Sequence, residues 1–154
     1  MRQQLPVSVG QLIRMRPASR DEVFRSSPAG PIPAGKADGV AMLPLGPVLT
    51  QAAAWLIRLT TWQGKVFDPR YGDLKNRITP FGIKAIRAKV YKGPSWVDGE
   101  ECIVLDYSQA SIVAKWIRDE IREVAPRTYL GQVFVRKSKW LHFTLTFPPS
   151  PPSE

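Results

Sequence analysis

The sequence predicts an α+β protein built mainly from antiparallel strands, with about two helices. Short runs of alternating, β-branched and aromatic residues recur between turn signals, and they predict at least six strands. The Asp98–Gly99 pair between two such runs is a strong hairpin signal. With 154 residues, 44% of them apolar, the chain is long enough for one hydrophobic core. A small curled sheet or barrel is therefore expected, with an interior that holds side chains or one apolar ligand.

The first part of the chain, residues 1–38, is predicted to be an irregular leader packed on the body of the protein. Pro and Gly interrupt its apolar residues, so these do not continue as one long element. One helical turn is expected over 21–25, with Ser19 as its N-cap. Pro and Gly then recur at close spacing over 26–38 and predict an extended loop.

A single β-rich domain is predicted over 39–147, followed by a disordered Pro-rich tail over 148–154. Two helices are expected inside the domain. The first covers about 48–62, where apolar residues recur at helical spacing. The second passes through 112–117, with Ser108 as its N-cap. Strands are expected at 40–43, 64–68, 74–78, 83–91, 101–107, 129–135 and 140–147.

Cysteine and histidine usage limits the possible metal sites. Cys102 is the single cysteine, which excludes an internal disulfide and a cysteine-rich zinc site. Because it lies in an apolar run, we expect it to be a small buried hydrophobe. His142 is the single histidine, so a histidine-rich metal site is excluded too. No Gly-rich phosphate loop is present, and we expect neither a metal nor a bound cofactor.

The net charge of +9 is compatible with a nucleic acid or an anionic membrane as partner. Basic residues are spread thinly along the chain, which favours a solvated basic surface and makes a nucleic-acid partner unexpected. No apolar stretch is long and uninterrupted enough to span a bilayer, and residues 1–11 lack the apolar core of a signal peptide. We expect a cytoplasmic protein, with peripheral contact at the inner face of the membrane left open.

Several short motifs occur in an order that resembles a known family. They are Trp62-Gln-Gly-Lys-Val-Phe67, Asn76 on the next strand, Asp98-Gly99, Asp119-Glu-Ile-Arg122 and Tyr129-Leu-Gly131. Over about residues 62–147 they resemble small bacterial lipocalin-like (calycin) proteins of the GXWXG type. The Gly-x-Trp that opens true lipocalins is absent, since Trp62 precedes Gly64 here. The resemblance implies a β-barrel or half-barrel with an apolar pocket, and it implies no reaction.

The resemblance also bears on the charged stretch that precedes residue 125. Drawn as a helix, this stretch puts Glu120 in an apolar arc, where a carboxylate must be paired, protonated or part of a site. If 125–128 is a hairpin turn, the helix must stop near Arg118 and a strand must follow. Alternation then places Arg118, Glu120, Arg122 and Val124 on one face, and Asp119, Ile121 and Glu123 on the other. The Arg–carboxylate pair either orients a ligand's polar group or has a structural or surface role.

Eight residues are candidates for a ligand-binding site: Lys65, Asn76, Asp106, Tyr107, Glu120, Arg122, Tyr129 and His142. Lys65 and Asn76 lie on neighbouring predicted strands. Asp106 and Tyr107 end an apolar strand, where one of them must point inward unless the pair only ends the strand and caps the next element. His142 would need a carboxylate or substrate within reach to act as a general base, and a satisfied strand histidine is the alternative.

The leading functional hypothesis is binding of a small apolar or amphipathic molecule, lipid-like or polyketide-like, in a lipocalin-like pocket. Four side chains are expected to hold its polar end: Lys65, Tyr107, Glu120 and Arg122. The enzyme alternative is an isomerase, cyclase or hydrolase that uses Glu120 or Asp106 as acid/base, with His142 assisting. The third hypothesis is a basic surface module that docks on an anionic membrane or RNA. No catalytic residue is assigned, because nucleophile motifs are absent.

Overall fold

The computed structural model describes residues 6–42, 62–68, 72–78, 87–109 and 114–149. These residues form two α-helices, α1 (Val9–Arg14) and α2 (Pro17–Ser26), and a 3-10 turn at Ala114–Trp116. They also form eight strands: β1 (Gly35–Met42), β2 (Trp62–Asp68), β3 (Asp73–Ile78), β4 (Arg87–Pro94), β5 (Glu101–Asp106), β6 (Ile117–Ala125), β7 (Thr128–Val135) and β8 (Ser138–Thr146). None of the described helices is long and apolar enough to cross a membrane.

Each strand pairs with the next in antiparallel orientation, and β1 also pairs with β8, so the ladder closes into a barrel. The predicted α+β class with mainly antiparallel strands is confirmed. The Asp98–Gly99 hairpin lies where it was expected, between β4 and β5, and Gly99 has the positive φ of 76° that such a turn favours. Closure leaves no strand edge among these pairs for another chain to extend.

The structure tests only one of the two helices predicted inside the domain. The helix expected over 48–62 lies outside the described residues except for Trp62, which begins β2. The helix expected through 112–117 is wrong in its described part, because Ala114–Trp116 is a single 3-10 turn and Ile117 already begins β6. The physical reason is the ladder: Ile117 pairs with Val135 of β7, and a helix there would lose that pairing.

The leader carries both described α-helices. Ser8 caps α1 with a capping box, in which its hydroxyl accepts from the N–H of Gln11. Instead of one turn capped by Ser19, α2 has ten residues and begins earlier, because Pro17 at the first position is preset for a helix. Arg20 donates to the carbonyl oxygen of Leu12 at 2.8 Å and so ties the two helices together.

Buried residues fall into two clusters on opposite faces of the barrel wall. The first draws on strands all round the barrel and defines the interior face: Ala37, Phe67, Ala88, Val90, Ile103, Leu105, Tyr107, Ile121, Tyr129, Leu141, Phe143, Leu145 and Phe147. The second includes residues of the leader and defines the outer face: Leu12, Phe24, Met42, Cys102, Val104, Val124 and Leu130. Because successive strand residues point to opposite faces, a strand buried on both sides is apolar throughout, as the run Cys102–Leu105 is.

Aromatic rings fill the interior where β7 begins and β8 ends. The ring of Phe147 packs edge-on against Phe67 and Tyr129, at centroid distances of 5.5 and 5.7 Å. Gly131 leaves room for a further ring, since a Cβ there would lie 2.2 Å from Cζ of Phe143. We call this the closed end of the barrel.

The opposite end, where β5 ends and β6 begins, is different. Ile117 and Val133 pack against the interior cluster but remain partly exposed. They lie beside Tyr107 and Asp119 at this end of the wall, since Asp119 pairs with Val133 across the ladder. We call this the open end, because among the described residues Ile117 and Val133 keep part of their apolar surface accessible there.

Candidate functional site

The alternation predicted for β6 is confirmed. Ile121 pairs with Gly131 and belongs to the interior cluster, so Asp119, two residues before it, faces the interior too. Glu120 and Arg122 therefore face outward, under the leader and the loop 95–100. Both side chains are fully buried, so this charged face lines neither the interior nor bulk water.

Glu120 holds the loop between β4 and β5 onto the wall. Its carboxylate accepts from the hydroxyl of Ser95 and from the backbone N–H of Trp96 at 2.8 Å. Arg118 completes the set as an ion pair at 3.0 Å. Three donors thus satisfy a carboxylate with no exposed surface, as burial of a charge requires.

Arg122 joins the same loop to the leader. Its guanidinium makes a two-pronged pair with Asp98, with both N–O distances at 2.7 Å. It also donates to the carbonyl oxygens of Phe24 in α2 and Glu101 in β5, at 3.0 and 3.1 Å. The hydrogen bonds from Arg122 lower the pKa of Asp98 below its ordinary value. Arg122 therefore serves as a structural connector on the outer face.

His142 lies in the same row of the outer face, with Gln132 between it and Glu120. Its Nε2 lies 2.9 Å from the carboxylate of Asp21 in α2, and the amide of Gln132 donates to that carboxylate at 3.1 Å. Burial lowers the pKa of His142, although Asp21 acts in the opposite direction. These contacts make His142 a second residue, after Arg122, that attaches the leader to the barrel wall.

Asp106 ends β5 on the outer face. It accepts from the phenol of Tyr91 at 3.1 Å and from the backbone N–H of Ser108 at 2.8 Å. Burial would raise the pKa of Asp106, but the bonds from Ser108 and Tyr91 outweigh it and lower the pKa. The contact with Ser108 is a local turn of the kind that often follows a strand.

Lys65 and Asn76 are directly opposite each other in the register of β2 and β3, as the sequence analysis expected of neighbouring strands. Their side chains lie outside the described part of the structure. Their predicted role in holding a ligand therefore stays a prediction.

The interior face brings together Tyr107 and a residue that the sequence analysis did not select. The phenol of Tyr107 donates to the carboxylate of Asp119 at 3.3 Å, and both side chains are buried. The signal for Asp119 was its alternation with Ile121, which places a carboxylate on the apolar side of the strand. The sequence analysis selected Glu120 instead, because Arg118 and Arg122 flank it on the same face.

Tyr129 faces the interior at the closed end, far along the wall from this pair. Its phenol donates to the carbonyl oxygen of Pro31 in the leader at 2.7 Å. Burial raises the pKa of Tyr129, and the nearby Glu123 adds to the effect. The hydrogen bond to Pro31 thus holds Tyr129 among the aromatic rings of the closed end.

The six predicted residues whose side chains the structure describes therefore do not form one site. In the part of the chain that the structure describes, Glu120, Arg122 and His142 hold the leader and a loop, and Tyr107 faces the interior. Cys102 is a buried free thiol on the outer face, where burial raises its pKa to about 12, so it is the inert hydrophobe expected. Among the described residues, no group of three or more potential metal ligands is placed to hold an ion.

The fold defines a mainly antiparallel α+β protein with a closed strand ladder, and comparison with known proteins supports that architecture alone. No family model matches the chain, and no curated protein matches it. A crystal structure of a protein from Thermomonospora curvata is similar in fold, with a TM-score of 0.62 and 18% sequence identity. The similarity covers 87% of this chain and 88% of that one.

Proposed function

We propose that the barrel binds a small amphipathic molecule, lipid-like or polyketide-like, with its polar group at the open end. The observation that carries the proposal is the Tyr107–Asp119 pair, a phenol and a carboxylate beside the apolar cluster of the interior face. Ligand pockets typically combine an apolar lining with a few well-placed polar groups. We place this function in the cytoplasm, as the sequence leads us to expect.

The contrast between the two ends supports entry at the open end. At the closed end the ring of Phe147 packs against the rings of Phe67 and Tyr129, and the phenol of Tyr129 donates to the carbonyl oxygen of Pro31. At the open end Ile117 keeps exposed apolar surface. An apolar ligand would bury that surface, with a gain of about 25 cal/mol for each Å² removed from water.

The polar pair suits a ligand that carries a hydroxyl, carbonyl or amide group. The carboxylate of Asp119 accepts hydrogen bonds, and the hydroxyl of Tyr107 both donates and accepts. A hydrogen bond to a charged group contributes about 1.5–3 kcal/mol, enough to orient a small molecule. The resemblance to lipocalin-like proteins over about residues 62–147 supports the same proposal, and an eight-stranded barrel is wide enough for one small ligand.

The contacts on the outer face favour binding over the acid–base catalysis of the enzyme alternative. Glu120 is fully buried and its carboxylate is occupied by Ser95, Trp96 and Arg118. A substrate would have to displace the loop 95–100 to reach it.

The test is native mass spectrometry of the purified full chain, followed by displacement of a bound fluorescent fatty acid, cis-parinaric acid. Tyr107→Phe and Asp119→Asn each remove one polar group with little change of shape. We expect each to weaken the probe's affinity about tenfold or more, as loss of a charge-assisted hydrogen bond does.

The matched control is Tyr91→Phe, which removes the phenol of the Tyr91–Asp106 pair on the outer face, also a Tyr–Asp hydrogen bond. Affinity for the probe should be unchanged in this variant. Equal losses in Tyr91→Phe and Tyr107→Phe would show a general effect on stability and contradict the proposal. Failure of the wild-type chain to bind the probe or retain any apolar molecule would overturn it.

A further inference from the structure

A cleft on the outer surface beside the open end combines exposed tryptophans with cations. Five residues line its volume of about 400 Å³: Trp96, Lys115, Trp116, Arg136 and Lys137. Trp96 and Trp116 are 47% and 48% exposed, which is high for a side chain that is well buried on average. We call this the Trp96–Trp116 cleft.

Cationic groups lie against both rings. The ammonium of Lys115 and the guanidinium of Arg136 lie 4.8 and 5.0 Å from the ring centre of Trp116. Arg118 lies 4.4 Å from the ring centre of Trp96. The lining contains three cations and no carboxylate, so the cleft is complementary to an anion.

The cleft is built by the fold. The buried carboxylate of Glu120 accepts a hydrogen bond from the backbone N–H of Trp96. The rings of Trp96 and Phe134 pack edge to face, with their centroids 5.3 Å apart. The backbone N–H of Arg136 donates to the carbonyl oxygen of Trp116 at 3.0 Å, which fixes the other wall. Neither tryptophan is therefore on a freely moving loop.

The turn between β7 and β8 has an unusual composition. Arg136 and Lys137 both adopt positive φ, at 51° and 69°, in a two-residue turn where Asn and Gly are the favoured residues. Long basic side chains gain nothing from that backbone conformation. The backbone preference of the turn therefore does not explain these two residues.

We propose that the Trp96–Trp116 cleft docks the protein on the surface of an anionic lipid bilayer. Tryptophan rings favour the headgroup level of a bilayer, where their apolar body and polar N–H are both satisfied. Lys115, Arg136 and Lys137 then pair with lipid phosphates. This surface is distinct from the barrel interior, and the proposal does not depend on the interior binding a ligand.

The contacts favour a bilayer over a nucleic acid. Single-stranded nucleic acids bind by stacking bases on exposed aromatic faces. Two cations already lie over the ring of Trp116 and one over Trp96. A bilayer needs no free ring face, because the rings insert among the headgroups while the cations remain at the phosphates.

The test is flotation of the full chain with vesicles of phosphatidylcholine alone or mixed with phosphatidylglycerol. We expect binding to the mixed vesicles that falls as salt rises, and little binding to the neutral ones. The variant Lys115→Glu/Lys137→Glu should bind at least about 25-fold more weakly, since each cation lost near an anionic surface weakens binding about fivefold.

The matched control is Arg14→Glu/Lys36→Glu, which makes the same change in net charge at exposed positions outside the cleft. This variant should bind the mixed vesicles nearly as tightly as the unchanged chain does. Equal losses in the two double variants would show an effect of net charge alone and overturn the proposal. Tighter binding to a single-stranded oligonucleotide than to the mixed vesicles would also overturn it. Circular dichroism of each variant verifies that the chain is folded.

Discussion

Adjacent residues of β6 illustrate two different uses of a buried carboxylate. Asp119 faces an apolar interior and is bonded to a phenol. Glu120, the next residue, faces outward and is bonded to Ser95, to the backbone of Trp96 and to Arg118. The outer face thus satisfies its carboxylate with several donors, whereas the carboxylate of the interior lies beside the apolar cluster.

Under the proposed function, the outer face of β6 is structural and its interior face binds the ligand. The charges of the outer face connect segments distant in sequence, so their loss should affect stability first. The hydrogen bond of the interior pair joins two residues on neighbouring strands, so its loss should affect binding first. The predictions below test that division on the stability side, from the largest effect to the smallest.

Arg122→Met should have the largest effect on stability. The substitution leaves Asp98 without its partner and leaves the carbonyl oxygens of Phe24 and Glu101 without their donor. Breaking a buried ion pair by removing one partner costs about 3 kcal/mol or more. Urea unfolding monitored by fluorescence measures the change. Arg25→Met in α2, which is exposed, should change the free energy of unfolding by less than about 0.5 kcal/mol; similar values for both variants would refute the connector role.

Gly131→Ala should have an intermediate effect that arises on the interior face. The new methyl group overlaps the ring of Phe143, which is itself buried, so the core is overpacked by about 1–3 kcal/mol. Phe143→Leu in the same chain should recover part of this loss, because a smaller side chain relieves the overlap. The same substitution at Gly10 in α1, where nothing lies closer than 3.9 Å, should be neutral or stabilising.

The pH dependence that arises from His142 should be the smallest effect. Burial lowers its pKa below 6.5 in the folded protein, so the folded state binds fewer protons than the unfolded state. The free energy of unfolding should therefore decline as the pH falls below about 6.5, and level off below the pKa of the folded state. His142→Gln should flatten this part of the pH profile. An unchanged slope in the variant would show that other groups cause the decline.

Much of the fold could be predicted from local patterns. Alternation along β6 correctly assigned Glu120 and Arg122 to one face and Ile121 to the other, because the period of two is fixed by the backbone. That Lys65 and Asn76 lie on neighbouring strands followed from the order of the strands, whereas their register did not.

The sequence could not predict which of the two alternating sets of β6 residues faces the barrel interior, because both faces of β6 are buried. Alternation distinguishes two faces but does not say which one the leader covers. That depends on contacts such as Phe24 with Arg122, across a separation of 98 residues. For the same reason Asp119 was missed, and the cleft was missed because Trp96 and Trp116 come together only through the ladder.

The attachment of the leader has a consequence for the order of events during synthesis. The hydrogen bond between Phe24 and Arg122 closes a loop of 98 residues, and the contact between Asp21 and His142 closes one of 121. The leader is translated early, but the strands that receive it are translated late. Contacts of such high sequence separation slow folding, since the chain entropy is lost before the contacts form. The apolar residues of α1 and α2 therefore lack most of their covering cluster until β5 to β7 emerge, and the nascent chain is most exposed to aggregation in that interval.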